Sequence, residues 1–149
     1  MKIDDRIEAL VREALDAAVK RDIDRLDASV KAFKDEASRR AAAQLLVTVC
    51  GYVVVDIYEG HKPSGEQIRA LAEQVAAQDG EWSTLAADEI VAFLHAVLGD
   101  QTAEPLDPDA GVMMMFVVTA SLLAGRPMPD GKWWYNYLDQ VEAAIEAAP

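Results

Sequence analysis

The chain has 149 residues and a formal net charge of -12, with 52% hydrophobic and 27% charged residues. That length suits one domain with a substantial core, and the composition excludes a disordered or low-complexity chain. The acidic balance argues against nucleic acid and against anionic membrane surfaces, because both are bound through Lys and Arg, and one Cys excludes a disulfide framework and a Cys-based zinc site.

The N-terminus, Met1-Lys2-Ile3-Asp4-Asp5-Arg6, lacks the apolar stretch of a signal peptide, and a lone Cys50 fits a reduced, cytoplasmic setting. Alanine richness with a single Asn fits a GC-rich bacterial or phage gene. Ile3, Ile7, Leu10, Ala14 and Ala17 form one helical stripe. A second stripe, Ile23, Leu26, Val30, Phe33 and Ala37, would lie nearly opposite the first on a straight helix. The pattern therefore predicts a turn near residues 20–22 with Asp22 as N-cap, rather than one long helix over 3–37. Ile23, Leu26, Val30 and Phe33 have a heptad-like spacing, a seam able to pack within the chain or against a second copy.

Helix three is predicted over 38–59, apolar nearly all round in its second half, with Gly60 as its C′ residue and Pro63 beyond. Ser64-Gly65-Glu66-Gln67 matches a capping box, opening a helix with core positions Ile68, Leu71, Ala72 and Val75. Asp79-Gly80 is read as its break, with Ser83 or Thr84 capping a fifth helix built on Ile90, Phe93, Leu94 and Val97 and ended by Gly99. An acidic loop over 99–107 leads to Asp107-Pro108, an N-cap before Pro at N1. The helix it opens, 108–124, is the second all-round apolar one, and Gly125, Pro127 and Pro129 end it. The last helix carries Trp134, Leu138, Val141 and Ile145 on one side. The apolar runs 45–55 and 112–124 fall short of the roughly 20 residues of a membrane span.

The expected fold is all-α: a single-domain bundle of six or seven helices around two central apolar ones, residues 1–37 forming an amphipathic pair and 38–149 an acidic body. Residues 1–40 carry ten basic and ten acidic side chains, so the whole excess of -12 belongs to 41–149.

Catalytic signatures are sparse. His95 and Asp88 stand two turns apart, too far for a dependable orienting bond, and His61 sits at a helix end, where it meets the last carbonyls. Asp56, Glu59 and His61 lack a metal motif, and Asp100, Glu104, Asp107 and Asp109 lack the EF-hand spacing. Cys50 lies deep in an apolar run, Ser121 is expected to bond back to a carbonyl four residues earlier, and no phosphate-cradling glycine motif occurs. Met113, Met114 and Met115 read as adaptable core filling, with a pliable groove as the alternative. No catalytic residue, metal ligand or cofactor is therefore assigned.

The least ordinary segment is 126–137. Trp133, Tyr135 and Tyr137, with Arg126, form a candidate partner-binding surface, because Trp, Tyr and Arg dominate interface hot spots. The competing reading is aromatic packing that closes the end of the bundle. The sequence thus points to a non-catalytic helical protein acting through protein contacts or self-association. The alternatives are an acidic immunity- or antitoxin-like inhibitor of a basic partner and a small-molecule-binding bundle.

Overall fold

The structure, a computed structural model, describes residues 1–99 and 108–148, without the side chains of 108–110. The described residues form an all-helical bundle of seven helices: α1 (Asp5–Val19), α2 (Ile23–Lys31), α3 (Glu36–Ile57), α4 (Gly65–Ser83), α5 (Ala87–Val97), α6 (Pro108–Ala124) and α7 (Trp134–Ala147). Beyond Gly99, the predicted loop over 99–107 with its carboxylates Asp100, Glu104 and Asp107, and the side chain of Asp109, lie outside the described residues.

Local chemistry starts most helices. Asp4, Asp22, Asp35 and Ser64 each accept a backbone N–H of the following first turn, satisfying donors that have no intrahelical partner. The Ser64–Gln67 capping box forms in both directions. The turn near residue 20 forms as a Schellman motif: Arg21 N–H donates to Ala18 and Asp22 N–H to Ala17, with Arg21 left-handed at φ 56.

Four readings need correction. Asp35, not a residue nearer Ser38, caps α3, which starts at Glu36. At the other end Glu59 (φ 55) is the C′ residue and Gly60 follows it, because Glu59 N–H bonds Asp56 and Gly60 N–H reaches back to Val55. Helix α4 runs straight through Asp79 and Gly80 to Ser83, with Thr84 left-handed at its C-cap. Gly80 serves close approach: a Cβ there would stand 2.9 Å from the Leu85 carbonyl oxygen. Ser83 and Thr84 therefore belong to the end of α4, and α5 begins after Ala86 with no side-chain cap.

Of the two outcomes open to the seam Ile23, Leu26, Val30 and Phe33, packing within the chain is the one seen, with Phe33 outside the helix. Helix α2 stops at Lys31, so Phe33 stands beyond it and stacks on Phe116 of α6, ring centroids 6.2 Å apart. Leu26 is fully buried in the same chain, Val30 is half-buried, and Ile23 alone is exposed. The seam is consumed inside the chain, because an early helix end turns its last member into the core.

Helix α6 is the hub and packs against all six other helices. Its run Met114–Val118 is buried, as are Ala120, Leu122 and Leu123, which explains the missing polar face. Met114 and Met115 are core residues and Met113 is half-buried, as gap-filling requires. Ser121 Oγ lies 3.4 Å from Gln78 Oε1 of α4, an interhelical contact not foreseen from the sequence.

Helix α3 is the second apolar helix, covered on several sides except for a strip centred on Tyr52. It packs on α1, α5, α6 and α7. It starts well before the apolar run, so at 22 residues it is long and apolar enough, by length and composition alone, to cross a bilayer. Buried core helices pass the same test. Between α1 and α7, Arg12 bridges Glu8 at 2.7 Å, Asp139 at 2.7 Å and Glu142 at 2.9 Å.

Candidate functional site: the α3–α7 groove and its aromatic end

The bare side of α3 carries Thr48, Gly51, Tyr52, Val55 and Asp56, at the i, i+3, i+4, i+7, i+8 spacing that puts residues on one face. Ala144, Ile145 and Ala148 of α7 stand opposite, and together with Met1 and Gly60 the two faces line a groove of about 650 Å³. Its walls are largely apolar, and Tyr52 on its rim is 41% exposed. Among the described residues that line it, Asp56 is the only one with a charged side chain.

Asp56 is fixed from outside the groove. Tyr137 donates its hydroxyl to Asp56 Oδ2 at 2.5 Å, and Arg126 Nη2 stands 3.4 Å from the same oxygen. The Arg126 guanidinium also lies over the Tyr137 ring, 5.7 Å from its centroid. Burial, and then the bond to a carboxylate, push the Tyr137 phenol above its usual value. Oδ1 of Asp56 takes no hydrogen bond among the described residues.

The four predicted partner-binding residues therefore divide. Trp133 is 62% exposed and Tyr135 42% exposed, at the very start of α7. They are held in place: Trp133 N–H donates to Asn136 Oδ1 at 2.8 Å, Asn136 N–H donates to the Trp133 carbonyl at 3.0 Å, and the Trp134 and Tyr135 rings meet edge to face at 6.0 Å. Tyr137, by contrast, is buried, and Arg126 is half-buried on Asp56. Both are withdrawn from a partner because they close the α3–α7 seam. Tyr137, Val141 and Ile145 are four residues apart on the buried side of α7, a spacing that was readable in the sequence.

In the sequence Asp56 stands out only as a metal-ligand candidate beside Glu59 and His61. No group of three or more His, Cys, Asp or Glu side chains able to hold a metal occurs among the described residues. Asp88 pairs with Arg69 at 2.6 Å. Cys50 is fully buried, and that burial pushes its thiol up to about 12. Asp79, buried in α4, accepts from Trp82 Nε1 at 2.7 Å and pairs with Arg21 at 3.3 Å, tying the α1–α2 turn to α4.

Comparison with protein-family models, curated proteins and solved structures returns no match.

Proposed function

We propose that this chain is a non-catalytic helical protein that works by contacting another protein, and that Trp133 and Tyr135 anchor the contact. The observation that carries this reading is a largely solvated Trp ring beside a solvated Tyr at a helix start whose backbone is hydrogen-bonded to Asn136. Folded chains bury such rings when they can, and Trp and Tyr dominate interface energies where they are desolvated by a partner. A held backbone lowers the ordering cost of association. The acid excess, which lies wholly in residues 41–149, favours a partner with a basic surface. An inhibitor covering the basic site of a toxin or nuclease is the specific form of this reading.

The test is affinity capture from cells of the native host, with wild type and a Trp133→Ser/Tyr135→Ser double variant compared at low and high salt. The captured protein is then purified and titrated against both forms. The expected result is direct binding to wild type, at least tenfold weaker binding to the variant, and weakening with salt. Equal binding by the two forms removes the aromatic face from the interface. A salt-independent affinity removes the basic partner.

A further inference from the structure

We propose that the α3–α7 groove binds a lipophilic primary amine, with its hydrocarbon body along Tyr52, Val55 and Ile145 and its ammonium group on Asp56 Oδ1. The groove is separate from the Trp133–Tyr135 contact and stands or falls independently of it.

Shape and lining come first. About 650 Å³ lies inside the range of ligand sites, and such sites are mostly apolar with a few fixed polar groups. Here the one charged side chain among the described lining residues is a carboxylate, beside the Thr48 and Tyr52 hydroxyls. The Asp56 side chain keeps 43% of its surface exposed, so it borders the trough as an accessible, solvated carboxylate. Its nearest cation, Arg126, stands 3.4 Å away, longer than a tight charge-assisted bond of about 2.7–2.9 Å, and contacts only Oδ2. The Tyr137 hydroxyl occupies Oδ2 as well. These two contacts hold the carboxylate in place and leave one oxygen free.

That pattern selects the head group. A guanidinium loses its bidentate advantage here, because Oδ2 already carries two donors and only Oδ1 is left. An ammonium ion needs one oxygen, and the exposed Tyr52 ring, one turn before Asp56, offers the cation a π face. A carboxylate or phosphate head would meet Asp56 directly and a chain of net charge -12. A neutral alcohol can donate to Oδ1 but adds no cation to the carboxylate beyond Arg126.

The test titrates n-octylamine, n-octanol and n-octanoate into the whole chain at pH 7.5 by calorimetry, with backbone amide shifts locating the site. Octylamine is expected to bind with shifts confined to α3 and α7, octanol at least tenfold more weakly, and octanoate not at all. Asp56→Asn is expected to bring octylamine down to the level of octanol. Ala148→Trp, at the exposed end of α7, is expected to fill the groove and abolish binding while leaving the Tm within a few degrees. Glu73→Gln, an exposed acid on α4, is expected to change nothing. The proposal is overturned if octylamine shows no binding up to millimolar concentration. It is equally overturned if octanol or octanoate binds as tightly, if Asp56→Asn and Ala148→Trp bind like wild type, or if Glu73→Gln weakens binding as much as Asp56→Asn.

Discussion

The Tyr137 hydroxyl donates to Asp56 Oδ2 at 2.5 Å, joining the first turn of α7 to the last turn of α3. A half-buried hydrogen bond to a charged acceptor contributes about 1.5–3 kcal/mol at most. Tyr137→Phe keeps the ring under Arg126 and removes only this bond. Its urea midpoint is expected to fall by the equivalent of about 1–2 kcal/mol, with an unchanged m value. An unchanged midpoint would mean that Arg126 alone holds Asp56.

Gly80 reverses the usual helix rule. In an open helix interior, Gly→Ala gains roughly 1 kcal/mol from propensity. Here the new Cβ would meet the Leu85 carbonyl at 2.9 Å, and backbone does not yield cheaply. Overpacking typically costs about 1–3 kcal/mol. Gly80→Ala is therefore expected to lower stability by about 1–2 kcal/mol in denaturant unfolding, and a stabilised variant would contradict the close approach.

Glu142 gives a pH signature. It is buried between α1 and α7, facing Arg12 and Glu8 of α1 with Asp139 on its own helix. Burial, and then Glu8, push its carboxyl up from 4.5 to about 7, against the opposing pull of Arg12. A carboxyl raised on folding binds more protons in the folded state, so its contribution is fully present below about 4.5 and is lost as pH rises through about 7. The stability difference between wild type and Glu142→Gln is expected to shift against wild type from pH 5 to pH 8. A difference that is flat across that interval would remove Glu142 from the titration.

Thr119 lies on α6, fully buried, with its hydroxyl against the Cys50 thiol, a weak partner, and on no nitrogen or oxygen among the described residues. Thr119→Val keeps the shape and removes a desolvated polar group. A gain of about 1 kcal/mol is expected, which raises the Tm by about 2–4 °C in a chain of this size. A lower Tm would show that the hydroxyl is satisfied in solution.

Cys50 is expected to resist alkylation. Iodoacetamide at pH 8 should leave the native thiol unmodified over hours and label it fully in denaturant, because a thiol pushed to about 12 holds almost no thiolate. Rapid native labelling would require opening of the α3–α6 contact.

Seven helices, the Asp22 turn and the Ser64 capping box were legible because period, caps and breakers act within a few residues. The exposed pair Trp133 and Tyr135 was legible as a composition anomaly. The groove was not, since nothing in the string Thr48 to Asp56 shows which side of an all-round apolar helix stays bare.

What the amino-acid order determined by itself was local: helix class, most helix starts, and a charge excess confined to residues 41–149. What only the tertiary structure decided was nonlocal. The Leu85 carbonyl kept Gly80 inside a helix, the Phe116 ring took Phe33 into the core, and Asp56, 81 positions before Tyr137, drew that ring away from the surface. Each outcome depends on a partner far along the chain or on a backbone fold-back, and hydrophobic periodicity records neither.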